Sequence, residues 1–216
     1  MTDIGDGMHR GLPMLTAGTP LAQAKAAMIM VHGRGASARD ILMLTQEWQA
    51  ADVACLAPQA ANGTWYPNRF IAPVAANEPW LTSALASVDD IMQLVANAGI
   101  SAEHTLLLGF SQGGCLALEY AARHPQRYGG VVGLSAALIE NGDKPRTYTG
   151  ALAGTPVLLG CSDVDFHIPL DRLERSAEVL VHLGAEVDKR IYHNLGHTIN
   201  RDEVDAVQKL IDRVPR

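Results

Sequence analysis

Two hydrophobic periods alternate along this 216-residue chain. Short runs with little polar content, AAMIMVH (26–32), VACLA (53–57), HTLLLGF (104–110), GGVVGLS (129–135) and TPVLLGC (155–161), predict strands buried on both faces. A sixth run, EVDKRIYH (186–193), is only alternately apolar, because Lys189 stands between Val187 and Ile191. It predicts a strand nearer a sheet edge. The segment before residue 26 is a candidate antiparallel edge strand.

The intervening stretches carry the helical period. Residues 38–51 space Ile41, Leu42, Leu44 and Trp48 along one face, and residues 78–99 open with Pro79 and stop at Gly99. Residues 112–124 end before Pro125, 169–184 run from Pro169 to Gly184, and 201–214 close the chain. Strand and helix in alternation predict a mainly parallel central sheet with helices on both faces, the α/β class. Neither a repeat nor a linker divides the sequence, so a single domain over 1–216 is expected. One long stretch, 57–77, fits neither period and contains Trp65, Tyr66 and Phe70. It follows a strand, so it should begin at the carboxyl edge of the sheet, where open α/β folds place ligands.

Composition narrows the function. The formal net charge is −6 and no basic patch stands out. This argues against nucleic acid and anionic membrane surfaces as partners and leaves a small-molecule substrate. Cys55, Cys115 and Cys161 each sit in an apolar run and read as buried free thiols of a reducing compartment. The first residues, MTDIGDGMHRG, lack the apolar stretch of a signal peptide. No run approaches the roughly 18 apolar residues of a membrane span. A cytoplasmic location without stable membrane insertion is the expectation.

The strongest chemical signal is Gly109-Phe110-Ser111-Gln112-Gly113, a G-x-S-x-G between a predicted strand and a predicted helix. A nucleophile elbow needs that context, because only a sharp strand-to-helix bend lifts the hydroxyl above the sheet. Serine needs a base, and histidine suits with an ordinary pKa near 6.5. Of eight histidines, His197 lies after the last predicted strand and before the last helix, where the nucleophile–acid–histidine order of α/β-hydrolases places the base. His193, four residues earlier, superficially makes an H-x-x-x-H metal pair, but Gly196 and the loop context argue against the helix such a pair needs. No metal or cofactor is expected. Two candidate acids follow the strand TPVLLGC, Asp163 and Asp165, and local chemistry does not choose between them. His32-Gly33-Arg34-Gly35 follows the first apolar strand and resembles an oxyanion-hole loop. The donors would be the main-chain amides of Arg34 and Gln112, which leaves their side chains free to vary.

With these pieces in hand, the chain resembles the phospholipase/carboxylesterase family of α/β-hydrolases, over nearly its whole length. The resemblance runs through V-H-G-R-G, A-P-Q, T-W-Y, G-F-S-Q-G-G, P-V-L-L, the aspartate region with I-P, and G-H-T. It implies the α/β-hydrolase fold without a large cap domain, an open cleft, and hydrolysis of carboxylic esters of small or medium acyl chains. It also chooses the acid. The family pattern H-G-x-x-D, laid without gaps from Pro156 to Pro169, puts its aspartate on Asp165, although Cys161-Ser162 replaces His-Gly and Phe166 replaces a small residue. The implied catalytic set is Ser111, His197 and Asp165, with an oxyanion hole at Arg34 and Gln112. Trp65, Tyr66 and Phe70 are candidates to line the acyl site or, equally, to pack the long loop onto the body. An acyl-thioesterase or lysophospholipase would use the same triad. A non-catalytic ligand-binding protein of the same fold would normally have lost a triad member, and none is missing.

Overall fold

Side chains that follow one another in the central strands divide between two cores. Ala27, Ile29 and Val31 face one cluster, while Ala26, Met28 and Met30 face the other, and all six are buried. That is the pattern of a strand covered on both sides, and it explains why these runs lack polar positions. The computed structural model describes residues 8–142, 144 and 146–214. The expectations for residues 1–7 lie outside them.

In chain order the elements are β1 (Met14–Gly18), β2 (Ala26–Val31), α1 (Ala38–Leu42), β3 (Val53–Pro58), α2 (Val74–Asn77), α3 (Trp80–Asn97) and β4 (Thr105–Phe110). They continue with α4 (Gln112–Arg123), β5 (Gly130–Leu134), β6 (Pro156–Ser162), α5 (Leu170–His182), β7 (Glu186–Tyr192) and α6 (Arg201–Arg213). The strands form one seven-stranded sheet in the order β1-β3-β2-β4-β5-β6-β7. Every pairing is parallel except β1 with β3, where Met14 opposes Pro58 and Gly18 opposes Ala54. The mixed strand β7 is an edge, as its alternation requires, and β1 is the other edge.

Apolar residues of α3, α4 and α5 pack on the Ile29 side, and those of α1 and α6 pack on the Met28 side. This is the α/β-hydrolase architecture, and among the described residues no inserted helical domain caps the carboxyl ends of the strands. No described helix is long and apolar enough to cross a membrane.

Local chemistry sets the ends of these elements. Ser37 and Asp40 form a capping box at α1, and Asn200 and Glu203 form another at α6. Gly99 and Gly184 end α3 and α5 with φ of +89° and +80°, which a residue with a Cβ rarely adopts.

The helix expected over 38–51 is shorter. The α-helix stops at Leu42, residues 43–47 tighten into a 3-10 turn, and Trp48 is extended with φ −120°. Tertiary contacts override the helical period here. The indole N–H of Trp48 donates to the Val204 carbonyl at 2.9 Å, and the Gln49 amide donates to Gln208 Oε1 at 2.8 Å. Both partners lie on α6, the helix that follows the His197 loop. Replacing Trp48 by Phe keeps the apolar ring and deletes this donor. The expected loss is about 1 kcal/mol of unfolding free energy, read as a lower denaturant midpoint at unchanged slope; an unaltered midpoint contradicts the anchoring role.

Candidate active site

Between β4 and α4 the chain reverses on a single residue. Ser111 has φ +54° and ψ −122°, a conformation that a residue with a side chain holds only under constraint. Its amide donates to the Leu134 carbonyl of β5 at 2.9 Å, and its carbonyl accepts from the Cys115 amide at 2.9 Å. The flanking glycines make the bend possible by absence. A Cβ on Gly109 would lie 2.3 Å from the Gly113 carbonyl, and one on Gly113 would lie 2.2 Å from the Val31 carbonyl oxygen. The elbow and the end of β2 are therefore packed backbone against backbone.

The hydroxyl so presented meets a relay. Ser111 Oγ lies 2.9 Å from His197 Nε2, and His197 Nδ1 lies 2.7 Å from Asp165 Oδ2. A carboxylate can only accept, so Nδ1 carries the proton and Nε2 is left bare to accept the serine hydroxyl. Asp165 Oδ1 accepts the amides of His167 and Ile168 at 2.8 and 3.1 Å, and the Cys161 thiol approaches Oδ2 at 3.6 Å. Burial pushes the Asp165 carboxyl up, but the His197 ring and these two amides outweigh it and hold it below the usual carboxylate range.

Asp163 makes a rival pair, with Oδ2 2.6 Å from His193 Nδ1. The pairs differ in burial: the Asp165 side chain is 0% exposed and that of His197 15%, against 27% for Asp163 and 82% for His193. Asp163 and His193 form a surface pair, and only Asp165 reaches the histidine beside Ser111. The two histidines of the H-x-x-x-H pattern are thus held by different aspartates.

The long loop forms the opposite wall, and two buried histidines fasten it. His32 Nε2 accepts the Ala60 amide at 3.1 Å, so its Nδ1 holds the proton and donates to the Gly33 carbonyl at 2.7 Å. His9 works alike: Nδ1 accepts the Ala61 amide at 3.1 Å, and Nε2 donates to the Trp65 carbonyl at 2.9 Å. Burial lowers the pKa of both rings, which keeps them neutral, the form these bonds require.

The side chains of Arg34 and Gln112 are not free to vary, contrary to expectation. Arg34 donates to the carbonyls of Tyr66, Pro67 and Asn68 at 2.7 to 2.9 Å. Gln112 accepts the Trp65 amide at 3.0 Å and donates to the Tyr66 carbonyl at 2.7 Å. Their main-chain N–H groups have no protein acceptor among the described residues, and that of Gln112, in the first turn of α4, is an orphan by helix geometry.

Gly33, Arg34, Tyr66, Phe70, Phe110, Ser111, Gln112, Cys115, Ile168 and His197 border one cleft of about 630 Å³, together with Ala36, Pro67, Asn68, Arg69 and His167. Tyr66 and Phe70 border this cleft while lying almost wholly buried under the loop. Trp65 does not: it is 0% exposed, and its indole N–H donates to the His32 carbonyl at 2.8 Å. It packs beneath the loop, where its indole N–H finds its acceptor. Cys115 borders the cleft but is no competing nucleophile, since burial pushes its thiol up to about 12. Three contributors escaped the sequence reading: His9, Arg69 and His167. For His167 a signal existed, since it follows Phe166 directly in the stretch between the acid and Pro169.

The sequence pattern of the family described as phospholipase/carboxylesterase matches residues 17–214. The chain belongs to this family. A phospholipase/carboxylesterase from Dyadobacter fermentans superposes with a TM-score of 0.88 at 39% identity, covering 92% of this chain and 95% of that one. Acyl-protein thioesterase 1 of Gibberella zeae is 32% identical over 127 residues, 56% of this chain and 53% of that protein. Its namesake in Emericella nidulans is 25% identical over 90% of this chain and 92% of its own length. The family member is an enzyme of the serine-hydrolase type with carboxylesterase or thioesterase relatives.

Two outcomes follow from the geometry. Gln112→Ala keeps the main-chain donor but strands the buried Trp65 N–H, and unfolding free energy should fall by about 1–3 kcal/mol; an unchanged denaturation midpoint contradicts the loop-fastening role. Because the Asp165 carboxyl is depressed in the folded state, its contribution is present above an unfolded pKa of about 3.9 and is lost as pH falls through the folded value. The acid limb of stability against pH should therefore flatten in Asp165→Asn, and an identical limb in both proteins removes this contribution.

Proposed function

We propose that the chain is a serine carboxylesterase that hydrolyses carboxylic esters of small or medium acyl chains through an acyl-enzyme. The observation that carries this reading is the unbroken relay from Ser111 through His197 to buried Asp165, at 2.9 and 2.7 Å, opening on one cleft. Ser111 Oγ attacks the carbonyl carbon while its proton passes to His197 Nε2, and Asp165 stabilises the imidazolium that results. The amides of Arg34 and Gln112 hold the developing oxyanion, each worth about 3 kcal/mol of barrier lowering. The carbonyl re-forms as the C–O bond breaks, and Nε2 gives its proton to the departing alcohol. Water then attacks the acyl-enzyme by the same route and returns Ser111.

Tyr66 and Phe70 supply apolar wall to the acyl group. Acyl-thioester hydrolysis is the second reading, favoured by relatives named acyl-protein thioesterase; it uses the same residues with sulfur as the departing atom. The three buried free cysteines support a reducing, cytoplasmic setting.

A fluorophosphonate should label the protein stoichiometrically, and Ser111→Ala should abolish both label and esterase activity. Asp165→Asn should lower turnover by about four orders of magnitude, as loss of the orienting acid does in such triads, whereas Asp163→Asn should change it by less than about threefold. Labelling that survives in Ser111→Ala, or a larger loss in the Asp163 variant, would sink the assignment. Parallel assays of an aryl ester, its thioester and a lysophospholipid decide between the readings.

A further inference from the structure

The cleft carries a charge opposite to that of the molecule. The chain has a formal net charge of −6, yet the residues that border the cleft include Arg34, Arg69, His167 and His197 and no Asp or Glu. Neither arginine forms an ion pair with a carboxylate among the described residues. Arg34 is occupied by three loop carbonyls. Arg69 is not: its guanidinium makes one bond, from Nη2 to the His167 carbonyl at 3.2 Å, and its remaining donors are open to a ligand.

Its backbone is held in advance. The carbonyl of Arg69 accepts from buried Asn77 Nδ2 at 3.3 Å, and Asn77 Oδ1 accepts the Asn68 amide at 2.8 Å. A segment tied to Asn77 at two successive residues thus presents a cation with unspent donors.

His167 stands beside it, and its position gives direction to the site. Its ring lies edge-on to His197, 4.6 Å between centroids, with Phe166 on it at 4.1 Å. His197 is the group that returns a proton to the departing atom, so what lies next to it in the cleft lies on the leaving-group side. Burial and then the neighbouring His197 lower the His167 pKa, which leaves a neutral ring with one N–H to donate at neutral pH.

We propose that Arg69 and His167 form an anion-recognising subsite on the leaving-group side of the cleft, so that the preferred substrates release an alcohol or thiol bearing a carboxylate or phosphate. A guanidinium matches the paired oxygens of either group. The proposal rests on Ser111 and His197 acting as described above.

The test compares matched butyrate esters: that of 4-hydroxybenzoate, that of 4-hydroxyphenyl phosphate, and that of methyl 4-hydroxybenzoate, which is neutral. For the wild type, kcat/KM should favour at least one anionic ester over the neutral one by about tenfold or more at low salt, and the ratio should shrink as salt screens the charge. The two anionic arms tell carboxylate from phosphate. Arg69→Gln should collapse the ratio towards one through KM, Arg69→Lys should keep part of it, and His167→Gln should lower it severalfold.

Calorimetric binding of the same esters to Ser111→Ala should show the same order, a readout independent of turnover. A wild type that favours the neutral ester, a ratio that survives Arg69→Gln, or a preference found only when the charge sits on the acyl side, as in 4-nitrophenyl hemisuccinate, overturns the proposal. Each of those outcomes leaves the esterase reading intact. Conversely, loss of hydrolysis with the binding order retained counts against that reading alone.

Discussion

At residue 111 the chain must leave a parallel strand and enter a helix without a spacer, and everything in the cleft is registered to that reversal. The strained φ of Ser111 persists because both sides of the bend are over-determined. Its amide is tied to β5, and Gly113 sits where any side chain would strike the carbonyls of Val31 and His32. The same close approach brings the Gly33–Arg34 loop beside the first turn of α4, since that loop is the direct continuation of β2. Two unspent main-chain donors, from Arg34 and Gln112, thus border one cleft with the hydroxyl as a consequence of packing. The Ser111 hydroxyl and these two main-chain donors cannot be moved apart without disrupting the sheet.

The opposite wall is built on another principle. The long connection between β3 and α2, residues 59–73, has backbone groups that no sheet or α-helix satisfies, and each buried one costs free energy if left alone. Here side chains take the part of secondary structure. The neutral rings of His9 and His32 each bridge one main-chain donor and one acceptor, and the amide of Gln112 does the same between Trp65 and Tyr66. Arg34 gathers three successive carbonyls. Two residues that border the cleft therefore also fasten the wall across it by their side chains, which couples the shape of the cleft to the placement of their main-chain donors.

How far these arrangements can be read from sequence follows from their physics. The five inner strands are legible because burial on both faces removes polar residues, and Ser111 and His197 are legible because the elbow demands small neighbours and the strand order puts the histidine after β7. Helix 38–51 misleads, because the capture of Trp48 by α6 is a long-range contact that no local period records. Asp163 and Asp165 look alike to local chemistry, as acids two residues apart after one strand; the structure gives them different histidine partners, and only the buried one meets the histidine beside Ser111. Trp65 shows the same limit. An aromatic in a functional loop can point either way, and the direction is decided by where its indole N–H finds an acceptor.

The turn that follows β6 carries two tasks on four residues. Asp165 receives the amides of His167 and Ile168 on one oxygen and His197 on the other, with the Cys161 thiol behind it. A peptide amide cannot reach the acid without placing its own side chain, so the bond that orients Asp165 also sets where the His167 ring lies against His197. Cys161 supplies a small weak donor whose own pKa is raised by burial and by the Asp165 charge. It adds no second imidazole that could compete with His197 for the carboxylate. The placements of Asp165, of the His197 ring bonded to it and of the His167 ring are therefore set together by one short segment. Variation at the side chains of that segment can alter the lining of the cleft, while the hydrogen bonds to Asp165 limit how far the backbone itself can change.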